Sequence, residues 1–438
     1  MTAFWAQQAW VAGGVAERVR IGCDGAGRIA LIERGTDAAT SDHTLPGVVF
    51  PGAVNAHSHA FHRLLRGRTH AGGGSFWTWR ELMYREASRL TPESYERIAT
   101  AVYAEMVATG WTSVAEFHYV HHAPDGTPYA HGHGMELALA RAARATGIRL
   151  TLLDTCYLAS GFGAAPTPEQ VRFSDGTATR WRARLASLRE RVAAEFSPDE
   201  VLVGAALHSV RAVPVGELDA VAHALADESP LHIHLSEQPA ENEACLAATG
   251  RTPTELLAER GLLSPRLSAV HATHLTEGDI ALLGDAGATI VMCPTTEADL
   301  GDGIGPARTL ADAGCRIALG TDQHAVIDPF LEARALEHGE RLASGQRGRF
   351  SPAELVDAMT RGGDAATGRD VGALRVGAMC DLVSVDAASL RTVGSDPAQL
   401  VMSATAADVI SVVIGGRERA QHGRHLDVPP GHSATGAP

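Results

Sequence analysis

Eight short apolar runs, each ending in polar residues and most followed by a helix-forming stretch, constrain this chain's fold more tightly than any other feature. The first ends at His57; the others span residues 112–117, 148–155, 201–207, 231–235, 267–272, 288–293 and 315–320. They are continuous, not alternating, as parallel strands buried on both faces should be. Between them lie helical segments at 135–146, 179–194, 217–227, 253–260 and 276–286. An earlier helix is signalled by Thr91-Pro92-Glu93, a capping Thr with Pro at the first helical position. Ile98, Val102 and Met106 then recur at helical spacing before Gly110. Eight strands alternating with helices predict a (β/α)8 barrel.

The flanks read differently. Strand-like pieces at 4–11, 16–23 and 28–33, with a Gly-containing turn at 24–27, are matched near the other end by 380–385, 409–414 and 418–422. Neither group is long enough for a domain of its own. Residues 1–50 plus 371–426 are therefore expected to form one composite β-sandwich module beside a barrel over 51–370. A Pro/Gly/Ser-rich tail at 427–438 is expected to be disordered.

Composition narrows the chemistry. A net charge of −14 disfavours nucleic acid or an anionic membrane as partner. No apolar run reaches membrane-spanning length, and the N-terminal stretch lacks the basic start and apolar core of a secretory signal. The six Cys have no CxxC spacing and mostly lie in apolar runs, so buried free thiols in a cytoplasmic protein are expected. All 37 basic residues are Arg, and Lys is absent. Schiff-base lysines, P-loop lysines and carbamylated-lysine metal bridges are thereby excluded.

In a barrel of this kind the chemistry sits at the C-terminal strand ends. The first run ends in His57 and His59, which share one strand face about 7 Å apart along it. The second delivers Glu116, His118 and Tyr119; the fourth His208, Ser209 and Arg211; the fifth His232, His234 and Glu237. The sixth brings His271 and His274, the seventh Thr295, Thr296 and Glu297, and the eighth Asp322 and His324. Any one of these histidines could be structural, but six of eight strands bring at least one to the same rim. His57, His59, His234 and Asp322 make a ligand set suited to one Zn²⁺, with Fe²⁺ the lesser expectation. Coordination lowers the pKa of a water molecule enough to supply hydroxide near neutral pH. His271 and Asp322 could take its proton, and Glu237 could exchange protons with a substrate nitrogen. His232 lies deeper on its strand and is expected to be structural.

These residues resemble the amidohydrolase superfamily over nearly the whole chain: His57-Ser58-His59, His232-Ile233-His234 with Glu237, His271, Asp322, and the segment around 372–385. The resemblance implies a barrel plus β-sandwich and mononuclear, deaminase-type hydrolysis. Within the superfamily, HSHAFHR (57–63), SFWTWRELMY (75–84), AEFHYVHH (115–122), HSVRAV (208–213), HIHLSEQ (232–238), VHATHLT (270–276) and CPTTEADLGDGI (293–304) are similar to the formimidoylglutamate deiminase family. That implies hydrolysis of N-formimidoyl-L-glutamate to N-formyl-L-glutamate and ammonia, a step of histidine degradation. It also implies that His62, Arg80, Tyr119, His208 and Arg211 hold the substrate, and that the protein is a homodimer. The substrate is a dicarboxylate amidine, and Arg is the side chain whose fork fits a carboxylate. His62 departs from the family's usual Gln, which bears on substrate preference and pH dependence. Two other readings remain. One is a superfamily deaminase acting on a nucleobase or other cyclic amidine, with Phe76, Trp77 and Trp79 as a stacking surface. The other is a non-catalytic barrel kept as an assembly surface.

Overall fold

The computed structural model describes residues 2–70, 76–130, 132–224 and 230–429, and it sorts the strands into two sheets. The chain opens with β1 (Thr2–Val11), β2 (Gly14–Cys23), β3 (Ile29–Glu33) and β4 (His43–Pro51). The barrel follows as β5 (Ala53–Ser58), β6 (Trp111–His118), β7 (Arg149–Cys156), β8 (Val201–Leu207), β9 (Leu231–Leu235), β10 (Leu267–His271), β11 (Thr289–Met292) and β12 (Arg316–Leu319). Last come β13 (Leu382–Val385), β14 (Val409–Ile414), β15 (Arg417–Gln421) and β16 (Arg424–His425).

Each barrel strand pairs in parallel with the next, from β5 through β12. A bridge from Ser58 to Asp322, with Asp322 N–H donating to the His57 carbonyl at 3.0 Å, joins the first strand's end to the segment after the last. The result is a (β/α)8 barrel. Most of its strand residues are buried whichever way they point, which is why the runs are unbroken in the sequence. The other sheet runs β16-β15-β14-β13-β4-β1-β2-β3, so the two ends of the chain meet where Leu382 faces Pro51 and Val383 faces Phe50.

Only Gly52 separates β4 in this module from β5 in the barrel. A side chain there would lie 2.1 Å from Thr112 Oγ1, so the close crossing requires glycine. A buried, two-pronged ion pair also ties module to barrel: Arg149 of β7 reaches Asp381 at 2.7 and 2.9 Å.

The helix Pro92–Thr109 starts on the Thr91 cap, whose hydroxyl accepts from Ser94 N–H, and ends at Gly110 in the left-handed region (φ 108°). Further helices over Phe76–Ser88, Pro239–Thr249 and Pro329–Ser344 have no counterpart in the periodicity read above. All six cysteines are free and buried. No helix of the described residues is long and apolar enough to cross a membrane. Residues 430–438 of the expected disordered tail lie outside the described residues, as do 225–227 of one expected helix.

Candidate active site

The C-terminal strand ends carry both the polarity and the backbone strain. Ser236, His271, Asp322 and His324 all adopt positive φ (51°, 69°, 42° and 61°), which non-glycine residues rarely do unless their surroundings hold them there. Gly320 sits just before this turn. A side chain at that position would lie 2.8 Å from His57 Cβ, so glycine lets the last strand approach the first histidine.

Four acceptor atoms converge at the centre of the rim. His57 Nε2 lies 3.2 Å from His234 Nε2, and His59 Nε2 lies 3.3 Å from it. Asp322 Oδ1 is 3.2 Å from His57 Nε2 and 3.4 Å from His59 Nε2. Ligands bonded tetrahedrally to a zinc-sized ion at ~2.0–2.1 Å stand about 3.3 Å from each other, so this set fits a small divalent cation. Neighbouring groups aim the rings. His59 Nδ1 faces the Phe117 carbonyl at 2.8 Å and His234 Nδ1 the His208 carbonyl at 2.9 Å. Each Nδ1 therefore carries the hydrogen and each Nε2 presents its lone pair inward. Burial drives His57, His59 and His234 well below the ordinary imidazole pKa, keeping those lone pairs free of protons.

Beside these atoms is a cavity of about 50 Å³, bordered by His62, Arg80, Tyr119, His208, Arg211 and Glu237, with Tyr84 and Tyr157 also in its wall. A second cavity of about 530 Å³ shares Arg80, His208, Arg211, His234 and Glu237, and adds Gln238 and Glu241. His62, Arg80, Tyr119, His208, Arg211 and Glu237 are thus brought together beside His59, His234 and Asp322. His62 Nε2 is 3.0 Å from the Tyr119 hydroxyl, and its ring stands edge-on to Trp79. Arg80 Nε donates to the Tyr84 hydroxyl at 2.9 Å. The amide of Gln170 donates to both Tyr84 and Tyr157, at 2.8 and 2.9 Å, bracing that wall. Arg211 Nη1 is buried without a hydrogen-bond partner, while Tyr157 and Glu241 stand close to the guanidinium.

His271 is held by carboxylates. Its Nδ1 lies 3.4 Å from Glu297 Oε1 and its Nε2 3.8 Å from Glu237 Oε1. Burial alone would lower its pKa, but Glu237, Glu297 and Asp322 prevail and push it up to about 10. Burial raises Glu237, Glu241 (to about 7) and Asp302 (to about 8). Glu241, Asp302, Tyr84 and Tyr157 were not singled out in the sequence. Tyr84 and Asp302 lie within family-like segments already quoted, while Glu241 is one of several acids on an exposed-looking helix.

Other rim histidines turn away from the cavity. His232 Nε2 meets the Ala366 carbonyl at 2.8 Å, and His274 Nε2 the Asp302 carbonyl at 2.8 Å. His118 joins His121, Glu136 and Arg184 in a separate buried cluster. The side chains of Phe76 and Trp77 lie outside the described residues.

Converging acceptors in the mouth of a parallel barrel define a metal-site hydrolase architecture, and the comparisons with known proteins bear on which one. Residues 48–419 match the model of the amidohydrolase family, and the chain belongs to that family. It is 39% identical over 408 residues to the formimidoylglutamate deiminase of Pseudomonas aeruginosa, spanning 91% of this chain and 87% of that protein. The crystal structure of an amidohydrolase from Brucella melitensis superposes with a TM-score of 0.91 at 36% identity, covering 97% and 96% of the two chains. An adenosine deaminase from Xanthomonas campestris with bound zinc superposes with a TM-score of 0.83 at 25% identity, covering 98% and 94%.

Proposed function

We propose that this chain hydrolyses N-formimidoyl-L-glutamate to N-formyl-L-glutamate and ammonia, with one divalent cation, zinc first, held by His57, His59, His234 and Asp322. The observation that carries the reading is the placement of Arg80 and Arg211 on the cavity beside those four atoms, in a chain 39% identical to a formimidoylglutamate deiminase. Two guanidinium groups suit a substrate with two carboxylates, and the unpartnered Nη1 of Arg211 supplies a donor for one of them.

A cation bound by the four atoms would acidify a water molecule beside the amidine carbon. The chain's residues do the rest. Arg80 and Arg211 fix the carboxylates, while His62, Tyr119 and His208 line the side from which the amidine enters. Asp322 takes the proton of the attacking water, while His271, pushed up to about 10 by Glu237, Glu297 and Asp322, is protonated near neutral pH and serves as a hydrogen-bond donor beside it. Glu237, whose pKa burial raises, delivers a proton to the departing amino nitrogen. Glu297 holds the His271 ring, and Cys293 N–H donates to the same Glu297 oxygen at 2.8 Å.

The rival substrate is a nucleobase or other cyclic amidine, the class named for the zinc-bound adenosine deaminase above. That reading offers no substrate carboxylate to the two Arg that line the cavity. The deciding experiment measures ammonia release from formimidoylglutamate, adenosine, adenine and guanine on one metal-loaded preparation. Turnover of formimidoylglutamate at a kcat/KM at least a hundred times that of any purine is expected. A purine turned over faster overturns the assignment.

A further inference from the structure

Beside the metal-site histidines in the sequence, and outside the lining of the cavity, is a set of fully buried polar residues that the mechanism does not use: Asn55, Thr321, His324, Ser58 and Glu116. Thr321 N–H donates to Asn55 Oδ1 at 3.1 Å, which fixes the amide orientation. Asn55 Nδ2 must then be the donor to Thr321 Oγ1, at 2.7 Å. The Thr321 hydroxyl hydrogen has one remaining neighbour, His324 Nδ1 at 2.9 Å, so that nitrogen is an acceptor. With the opposite tautomer a buried hydroxyl hydrogen would be left unpaired, at the cost of a missing hydrogen bond.

His324 therefore carries its hydrogen on Nε2 and donates to Ser58 Oγ at 3.2 Å. Ser58 in turn donates to Glu116 Oε2 at 2.6 Å. The other oxygen, Glu116 Oε1, accepts from Ala60 N–H, also at 2.6 Å. The chain ends on Glu116, a buried carboxyl whose two oxygens are held by Ser58 and Ala60 and whose pKa burial pushes up to about 8.

Its placement gives it a consequence. Ser58 sits between His57 and His59, Ala60 directly follows His59, and Thr321 and His324 bracket Asp322. Barrel closure between β5 and the segment after β12 otherwise rests on backbone hydrogen bonds and a single bridge. We propose that Glu116 is a positioning residue for the metal site, anchoring a hydrogen-bond chain that keeps the backbone around His57, His59 and Asp322 in register. The inference rests on the metal-site reading above and adds to it a group that touches neither metal nor substrate.

The test is zinc affinity, measured by competition with a chromophoric chelator on wild type, Glu116→Gln and Ser58→Ala. The thermal midpoint of each metal-free protein is measured alongside. Glu116→Gln keeps the shape but sets an amide donor against either Ser58 or Ala60 N–H, so the end of the chain loses one of its two acceptors. Ser58→Ala cuts it one step earlier. Loss of groups that orient ligands costs roughly 10- to 100-fold in metal affinity, and a rise of that size in the zinc Kd is expected for both variants. A purely structural role would lower the metal-free midpoint and leave the Kd where it was. Zinc Kd values within twofold of wild type in both variants overturn the proposal while leaving the proposed function standing. Loss of folding in both variants also overturns it, since the chain would then serve the barrel as a whole. If one variant fails to fold, the other decides. A wild type that binds no zinc overturns the proposed function together with this inference.

Discussion

Two clusters of histidine and carboxylate lie buried near the same end of the barrel, and they differ in one respect. At the first, His57, His59, His234 and Asp322 point acceptor atoms at one another with no donor between them. At the second, Glu136 Oε1 is shared by His121 Nδ1 at 2.9 Å, Arg184 Nη1 at 3.2 Å and His118 Nε2 at 3.4 Å. His121 Nε2 meets the Thr155 carbonyl at 2.9 Å, so both of its ring nitrogens already face acceptors of the protein. Arg184 also reaches Asp154 at 2.6 Å and Asp175 at 2.9 Å. Each group has the residue types of a metal site and lies within ligand range of a common point. What separates them is whether a protein cation already occupies the place a metal would take. The first cluster lacks a cation and calls for one; the second brings its own.

The sharpest way to break that contrast is metal removal. Exhaustive chelation is expected to reduce ammonia release to the level of the enzyme-free control, with recovery on adding zinc. Full activity in protein shown by elemental analysis to be metal-free would falsify the reading of the first cluster. The complementary experiment acts on the second. Arg184→Met leaves three carboxylates of a buried network without their guanidinium, and breaking a buried pair in this way costs about 3–5 kcal/mol. Denaturant unfolding should register that loss while zinc content per chain stays at the wild-type value. A variant that keeps its stability but loses its zinc would mean the two clusters have been assigned the wrong way round.

The sequence makes the barrel legible because each strand run is apolar on both faces, and the observed ends fall within one residue of the runs read from it. It does not distinguish the two clusters. HSHAFH and HYVHH look alike as text, and the residues that decide between them, Arg184 and Asp154, arrive from a helix and a strand far along the chain. Two of the helices that escaped notice share a cause. Pro329–Ser344 buries Glu332, Glu337 and Glu340, whose carboxylates accept from Thr295, from Gly348 and Phe350 N–H and from Arg308 N–H, so its inner face does not read as apolar. Pro239–Thr249 buries only Glu241 and Cys245 and has no apolar stripe at all. A carboxylate turned inward to cap another segment is invisible to periodicity.

Arg211 extends the contrast from acceptors to donors, because its Nη1 is buried without a hydrogen-bond partner. If a substrate carboxylate fills that place, Arg211→Ala should lower kcat/KM by about 2–5 kcal/mol, roughly 30- to 5,000-fold, with zinc content unchanged. Steady-state kinetics on formimidoylglutamate gives the value, and a loss under tenfold rejects the carboxylate-clamp role. The same substitution should matter far less for an amidine substrate lacking that carboxylate.

The smallest expected effect comes from Glu241, which tests how nearly Arg211 already has an internal partner. Burial raises this carboxyl to about 7, against the pull of Arg211. Below that pH it is mostly neutral and leaves the guanidinium to the substrate; above it, the carboxylate competes for Arg211 and repels the incoming anion. KM for formimidoylglutamate should therefore rise as pH climbs from 6 to 8, by about fivefold for an interaction of ~1 kcal/mol. The substrate's own carboxylates are ionised throughout that range and contribute no comparable slope. Glu241→Gln should flatten the rise while leaving KM at pH 6 close to wild type. If KM instead falls with rising pH, or the slope survives in Glu241→Gln, the titrating group lies elsewhere and Arg211 shares nothing with Glu241.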